Sequence, residues 1–580
     1  MPEKKLLPGS ASGLSRVVGP VTAILISVAA TVGGAWQVQI FNFPGQAPLP
    51  ENLWFAGIPP IVMSFAILGV VFVIVMLGYS ILISAMPRSG GGYVAISRIL
   101  NPCAAFIASW FEFVSIAGSF GVLAVFVFQA WVLLFSKYIP FGGGVIAQSD
   151  VGLLAAGILL LVLMTAVCAF GAKITGYVLQ VLFWVPAALG IYVMYLLVLP
   201  ITDSSVLNNG ITVWAQVQGV SGVTADTYVK AALSQGLDAA NVGNYWTAVS
   251  VCLLGAYFCY VGYAALTFVP GEFTDPDRNL PRVAIAAPLI IMVMYVVMVS
   301  LGAYASSAVG RITLSNGDQW SFYEAYSYLS YGRGSLQQGG LPNIGAWVTI
   351  IAAMVGARLG LGPLSILLLT FTVLMYAKDL PPLILTGSRI IFAMSLDGLL
   401  PESLGKVNNR FHSPIFATVF VGVFGVLGAV SESCVFCGGG SWGFGGLLGN
   451  TLADFFTNSP IYNIDLLDAV FFTLFSLAVV LFPIRLERLF NSARFKPGGK
   501  LGVITIGLSG LVANLTIAWL ILTSPQDAYN ILAPTSANWY ALGSTALFGI
   551  IGAVIYAYHR YGPPKKQFNY SAIFREIPPE

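Results

Sequence analysis

Long apolar runs, separated by short polar segments, repeat along the whole chain. A transmembrane helix needs about 20 consecutive apolar residues to cross about 30 Å of hydrocarbon. On this rule the pattern predicts an all-α integral membrane protein with about twelve transmembrane helices, near residues 17–40, 59–85, 103–136, 151–170, 176–199, 246–270, 283–305, 361–395, 414–430, 467–484, 501–523 and 539–558. The apolar stretch 345–357 is too short for a full crossing, so we interpret it as an exterior or re-entrant helix.

The low content of charged residues supports this interpretation. Of the 580 residues, 57% are hydrophobic and 8% are charged, whereas about 25% of residues are charged in a soluble domain. The net charge of +3 is too small to favour nucleic acid as a partner. The sequence has only two histidines and no His-Glu-x-x-His motif. We therefore expect no metal, no cofactor and no enzymatic activity. The close pair Cys434 and Cys437 predicts either a local disulfide or two free thiols.

Lysine and arginine orient the predicted spans. Positive residues collect on the cytoplasmic side of membrane proteins. With the amino terminus inside, 20 of the 26 positive residues are cytoplasmic, and the exterior loops contain only Lys137, Lys230, Arg311 and Arg333. The remaining two, Arg358 and Lys378, belong to the eighth span or its edge. We therefore expect a plasma-membrane protein with both termini in the cytoplasm.

Two spans contain small residues at corresponding positions. Span 1 has such a run between Ser27 and Trp36, and span 6, five spans later, has one between Tyr257 and Ala265. Glycine costs about 1 kcal/mol in a helix, and transporters often build their binding site from interrupted helices. Small residues also permit close packing of helices in lipid, which is the structural alternative. The matched positions favour two functional breaks.

Three predicted cytoplasmic segments carry motifs that are specific enough to compare with a known family. They lie at Met86–Pro102, Pro270–Val283 and Ser388–Pro401, and Leu14-Ser-Arg16 precedes span 1. Together they resemble the amino acid–polyamine–organocation (APC) superfamily of permeases over spans 1 to 9, whereas spans 10 to 12 match only in hydropathy. The resemblance implies the leucine-transporter fold, a 5+5 inverted repeat with discontinuous helices 1 and 6 and two peripheral helices.

The same resemblance implies a division of the chain. It predicts a cytoplasmic segment over 1–16, a first repeat over 17–200, an extracellular loop over 201–245 and a second repeat over 246–484. The second repeat includes extracellular loops at 306–360 and 431–464. Spans 11 and 12 fall in 485–558, and a cytoplasmic tail follows over 559–580.

The substrate site implied by the resemblance lies at the two breaks. A carboxylate is expected on span 1, at Thr31, Val32, Gly33, Gly34 and Ala35. An ammonium group and a side chain are expected on span 6, at Phe258, Tyr260, Gly262 and Tyr263. Many members carry an acidic residue where this chain has Ala264. This departure favours neutral amino acids as substrates.

Charged residues in the predicted cytoplasmic loops suggest an inner gate. Arg88, Arg278, Arg282 and Arg389 could pair with Glu272, Asp275, Asp277 and Asp397. The alternative is that these side chains are solvated loop charges that only orient the spans.

Three charged residues fall inside apolar spans: Glu112 in span 3, and Lys378 and Asp379 in span 8. A charge at the middle of a bilayer costs about 2.5–3.5 kcal/mol even on the lenient insertion scale. We hypothesise that Lys378 lies beside the break of span 1, in place of a sodium ion, and is linked to a coupling proton. Asp379 or Glu112 would be its partner. A permanent structural ion pair is the alternative.

These features favour a secondary active transporter of amino acids that works by alternating access and proton symport, with sodium as the less favoured ion. An exchanger of amino acids or polyamines, and a non-transporting membrane sensor of amino acids, are the alternatives. No oligomeric state is predicted.

Overall fold

The computed structural model describes residues 13–14, 16–135, 150–217, 219–239, 242–274, 276–343, 348–358, 362–433, 460–523, 536–563 and 570–574. Within these ranges the chain is mostly helical. Its first eleven helices are α1 Pro20–Thr31, α2 Trp36–Gln46, α3 Pro60–Ala85, α4 Gly92–Ile99, α5 Pro102–Phe135, α6 Asp150–Ala169, α7 Ala172–Thr202, α8 Ser204–Val217, α9 Ala225–Ser234, α10 Tyr245–Tyr260 and α11 Pro276–Ser307.

The second part of the chain begins with a short antiparallel hairpin, β1 Ile312–Thr313 and β2 Gln319–Trp320. The helices that follow are α12 Phe322–Tyr331, α13 Val348–Arg358, α14 Gly362–Ala377, α15 Leu380–Leu396, α16 Ile415–Glu432, α17 Pro460–Arg485, α18 Glu487–Ser492, α19 Gly499–Thr523, α20 Ser536–Tyr561 and α21 Tyr570–Ile573.

Ten helical segments in the described part of the chain are long and apolar enough to cross a membrane, with α1 and α2 together forming the first. The length rule misses the other two of the twelve predicted spans, which are spans 6 and 8. The helix of span 6, α10, is only 16 residues long, and span 8 consists of two helices that meet at Lys378 and Asp379. The predicted short helix near 345–357 corresponds to α13, which has 11 residues and is not among the ten.

Span 3 lies at the centre of the bundle. Helix α5 buries 78% of its most apolar stretch and packs against α14, α15, α16 and α17. The same fraction is only 28% for α6, α7 and α19, and 17% for α20. These four helices therefore face outward, and their exposed apolar side chains match a lipid environment.

The two ends of the bundle differ. One end, which we call the basic end, carries Arg88, Arg98 and Arg389. The other end, which we call the lid end, carries short elements between the spans: α8, α9, α12, α13 and the hairpin. Helix α12 packs on α2, and α13 packs on α7, α8 and α14. These elements cover the second half of span 1. Cys434 and Cys437, and most of the loop 431–464, lie outside the described residues.

Candidate substrate and ion site

Span 1 is interrupted between Thr31, the last residue of α1, and Trp36, the first residue of α2. Close contacts from span 8 explain the two glycines in this gap. A Cβ atom on Gly33 would lie 1.9 Å from Oδ2 of Asp379, and one on Gly34 would lie 2.5 Å from the ring of Tyr376. Any larger residue would therefore displace span 8 from the break.

Span 6 is interrupted directly after α10. Val261–Ala264 form a turn, and a single 3-10 turn follows at Ala265–Phe268. Gly262 has φ +96°, and a Cβ atom there would lie 2.6 Å from the carbonyl oxygen of Ala30. Only glycine combines this backbone conformation with so close an approach. The N–H of Leu266 also donates to Oγ of Ser27 at 3.0 Å. The two breaks therefore lie against each other.

Lys378 lies at the end of α1. Its Nζ donates to the carbonyl oxygens of Ala29, at 3.0 Å, and Val32, at 2.5 Å. It also forms an ion pair with Oδ1 of Asp379 at 2.8 Å. The last carbonyls of a helix lack partners within the helix and carry a partial negative charge. The ammonium group therefore caps α1, and all three of its protons have acceptors.

Tyr295 on α11 connects the two breaks, and the sequence analysis did not single it out. Its hydroxyl lies within hydrogen-bond distance of the carbonyl oxygen of Thr31 and 2.6 Å from that of Cys259. A hydroxyl has only one proton to donate, so it can satisfy one of these helix ends at a time. A tyrosine in the middle of an apolar span was the available signal.

The structure separates the predicted residues of span 6. Gly262 lies at the break, but the hydroxyl of Tyr260 donates to the carbonyl oxygen of Phe65 on α3 at 3.0 Å. Tyr263 packs on Phe72 of α3 and Phe472 of α17, with ring centroids 4.1 and 5.0 Å apart. The two tyrosines therefore pack against α3, α11 and α17. Phe258 is buried, with 6% of its surface exposed.

Glu112, one of the two partners proposed for Lys378, is not among the hydrogen-bond or ion-pair partners that the described structure gives this lysine. Its carboxyl group is within hydrogen-bonding reach of Asp468 on α17. Asp468 in turn accepts a hydrogen bond from the hydroxyl of Tyr257 at 2.5 Å. Asp465 lies one turn earlier on α17 and is also buried. Neither aspartate was predicted as a site residue, because both stand at the edge of predicted span 10. Asp379 is the partner that the structure gives to Lys378.

Two clusters of charges close the basic end. Arg389 donates to Oε1 of Glu272 through Nε at 2.9 Å, and the backbone oxygen of Glu272 accepts from Val17 and Val18 at 2.9 and 2.8 Å. This cluster connects the chain before span 1 to spans 6 and 8.

The second cluster surrounds Asp397. Arg98 pairs with it at 2.5 Å and Arg88 at 3.5 Å. Burial favours the neutral carboxyl, but Arg98 and Arg88 outweigh this effect and hold the pKa of Asp397 below its usual range. Arg98 was not among the predicted gate residues, and its partner lies about 300 positions away in sequence. Arg282 is exposed. Asp275, and the side chains of Asp277 and Arg278, lie outside the described residues.

A family model described as amino acid permease matches residues 19–577. The chain belongs to this family. The resemblance to the APC superfamily is thereby confirmed, and the permease is a multi-pass membrane transporter rather than an enzyme.

Curated relatives of the permease include the branched-chain amino acid permease BcaP of Lactococcus lactis subsp. cremoris, 27% identical over 65% of this chain and 69% of that protein. BcaP of Bacillus subtilis is 24% identical over 71% and 74%. The large neutral amino acids transporter small subunit 2 of Rattus norvegicus is 24% identical over 71% and 64%.

The fold of the permease is similar to that of MhsT in its complex with L-phenylalanine, with a TM-score of 0.51 and 14% identity. The match covers 87% of this chain and 99% of that structure. The leucine-transporter fold with interrupted spans 1 and 6 is thereby confirmed.

Proposed function

We propose that this permease imports neutral amino acids by proton symport, through alternating access at the two breaks. The observation that carries this proposal is the position of Lys378. Its ammonium group binds the carbonyl oxygens of Ala29 and Val32 at the end of α1. A positive charge is therefore built into the protein at a place where carbonyl oxygens could otherwise hold a sodium ion. An ammonium group can release and regain a proton, which a metal ion cannot.

The proposed substrate binds between the breaks. The amino terminus of α2 presents N–H groups without partners inside the helix, together with a positive dipole end. These favour the carboxylate of an amino acid beside Val32, Gly33, Gly34 and Ala35. The carbonyl oxygens at the end of α10 would accept hydrogen bonds from the ammonium group. Alternating access would then require the two clusters at the basic end to separate.

A neutral side chain is favoured for two reasons. The turn of span 6 carries Ala264, so it places no carboxylate beside the ammonium site. The relatives named above are described as permeases of branched-chain or large neutral amino acids. We propose that the basic end faces the cytoplasm and that the protein lies in the plasma membrane, since positive residues collect on the cytoplasmic side.

Uptake into proteoliposomes tests the coupling. Wild-type protein should accumulate L-leucine when the outside is more acidic than the lumen, without sodium and without leucine inside. Lys378→Met should abolish the accumulation driven by the pH gradient, because the titrating charge is lost. Lys406→Met removes an exposed lysine and serves as the matched control.

Two results would contradict the proposal. If Lys378→Met retains full accumulation driven by the pH gradient, the lysine is only a structural partner of Asp379. If the wild type takes up leucine only when leucine is preloaded, the protein is an exchanger. Specific binding of leucine without any flux would identify a sensor.

A further inference from the structure

A group of three buried carboxyl groups lies between spans 3 and 10, apart from the Lys378 site. Glu112, Asp465 and Asp468 expose 3%, 1% and 2% of their surfaces. The carboxyls of Glu112 and Asp468 are within hydrogen-bonding reach of each other. We call Glu112 and Asp468 the carboxyl pair.

The carboxyl pair has no basic partner. None of the five ion pairs found among the described residues includes Glu112, Asp465 or Asp468. Two adjacent carboxylates without a cation would repel each other in a low-dielectric interior. A hydrogen bond between two carboxyl groups also needs a proton on one of them, because ionised carboxylates only accept. One proton within the pair would relieve this repulsion and let one carboxyl donate to the other.

Unpartnered polar atoms point into the same region. The hydroxyl of Tyr263, a side chain that is only 1% exposed, has no hydrogen-bond partner and lies close enough to Asp468 and Glu112 to feel their charge. Oε2 of Glu112 and Oδ1 of Asp465 also lack partners. Buried polar groups are usually satisfied, and one without a partner calls for an explanation, such as a bound water, an ion or a functional role.

We propose that Glu112 and Asp468 form a second proton-binding site, which takes up and releases one proton during the transport cycle. The added proton forms an O–H bond to one carboxylate oxygen, and the charge of the pair rises by one unit. A metal ion fits less well, because the described residues contain no group of acidic, His or Cys side chains arranged to hold one. The inference extends the proposed symport, since it adds a proton carrier to that mechanism.

The carboxyl pair is connected to the substrate site through span 6. Tyr257 donates to Asp468 at 2.5 Å and lies one turn before the end of α10, where the break begins. A movement of the break on substrate binding would change this hydrogen bond. By linkage, the affinity of the pair for a proton then depends on the substrate, and the reverse also holds.

Other charged groups on the helices around α5 form no ion pair with the carboxyl pair among the described residues. The nearby titratable groups are Asp465, Tyr79, Tyr257 and Tyr263. Elsewhere on the helices packed against α5, or between α14 and α15, the charged side chains in the described structure are Arg98, Asp150, Lys378, Asp379, Arg389, Glu432, Arg485 and Arg560. None of these is hydrogen-bonded or ion-paired to the carboxyl pair.

The test measures protons taken up or released when L-leucine binds to the purified full-length protein. A pH indicator in weakly buffered solution reports the number of protons per leucine. Glu112→Gln and Asp468→Asn should each lower the number of protons exchanged per bound leucine by about one relative to the wild type. Glu432→Gln is the matched control, because it neutralises a buried carboxyl that is bonded to Gln129 rather than to the pair. It should leave the count unchanged.

Tyr257→Phe keeps the proposal testable if the carboxyl variants fail to fold. Loss of the hydroxyl removes a donor to the Asp468 carboxylate, so the pH at which proton linkage is half complete should rise. An unchanged midpoint in Tyr257→Phe, or an unchanged proton count in folded Glu112→Gln, overturns the inference. Release of protons by sodium or L-lysine in the wild type but not in Glu112→Gln also overturns it, since the site would then bind a cation.

The outcomes separate this inference from the proposed function. If wild-type protein accumulates leucine in response to a pH gradient but Glu112→Gln and Asp468→Asn keep the proton count, only the inference fails. If binding is proton-linked through the carboxyl pair but no pH gradient drives uptake, only the proposed symport fails.

Discussion

The Lys378 site and the carboxyl pair are both buried within apolar spans, yet they differ in how their charge is compensated. Lys378 has Asp379 and two backbone carbonyls around it. Around the carboxyl pair the described residues place another carboxyl, Asp465, and tyrosine hydroxyls, but no paired cation. The first arrangement is satisfied in one protonation state, whereas the second depends on a proton from outside. Burial alone therefore does not show how a charge is used; the groups around it do.

The largest difference between the two sites should appear in stability. Asp379→Asn leaves the ammonium group of Lys378 without its counter-charge, and breaking a buried ion pair from one side costs about 3–5 kcal/mol. Asp465→Asn removes a carboxyl that has no cation to lose, so it should be neutral or stabilising. Thermal unfolding of the two purified, ligand-free variants tests this contrast. Equal losses in both variants would contradict the distinction between compensated and uncompensated sites.

A smaller loss of stability is expected from Gly262→Ala, which changes the contact between the breaks of spans 1 and 6 beside Lys378. Gly262→Ala combines a positive φ with a Cβ atom 2.6 Å from the carbonyl oxygen of Ala30, and the backbone strain alone costs about 1–3 kcal/mol. It should impair transport driven by a pH gradient more than proton binding at the carboxyl pair. Gly57→Ala is the matched control, because Gly57 has φ +73° with no atom within 4 Å of an added Cβ.

The Gly262 comparison separates strain from a steric clash. Both alanine variants should lower the unfolding temperature, but only Gly262→Ala should also reduce leucine uptake. If Gly57→Ala reduces uptake equally, the close approach of span 6 to Ala30 does not control the site.

The last contrast concerns Glu324, a buried carboxyl at the lid end with no paired cation among the described residues, which serves as a reference for the carboxyl pair. Burial, and next to it the Glu51 carboxyl, raise the pKa of Glu324 from 4.5 to about 8. Since the folded state then binds the proton more tightly than the unfolded chain, stability falls as pH rises from about 4.5 to about 8. Glu324→Gln should remove this part of the pH dependence of stability, measured as the unfolding temperature at several pH values. Exposed Glu402→Gln should keep it. An unchanged slope in Glu324→Gln would show that this buried carboxyl is compensated after all.

Much of the architecture could be predicted because it depends on local composition. Apolar runs identified the spans, and the glycines of spans 1 and 6 predicted breaks that the structure contains at Val32–Ala35 and Val261–Ala264. Lys378 and Asp379 stood out because charges are rare in such runs. Asp379 and Lys378 also pair with each other, as we expected because they are adjacent in sequence.

The site residues that were missed depend on contacts between distant segments. Arg98 meets Asp397, and Glu112 meets Asp468, across roughly 300 positions or more of sequence. Tyr295 bonds to carbonyls of two other spans. No local pattern identifies such pairs, because the packing of distant segments decides which side chains meet.

The sequence by itself determined that the chain is a bundle of membrane helices, since burying apolar runs in lipid follows from composition. It also determined where the backbone can open, since glycine content is local. Only the tertiary structure decided which charges are compensated. That depends on the packing of spans 1, 3, 8 and 10, because the energy of a buried charge is set by the few atoms within hydrogen-bonding distance. Lys378 lies among carbonyl oxygens and a carboxylate, whereas Glu112 lies beside another carboxyl group.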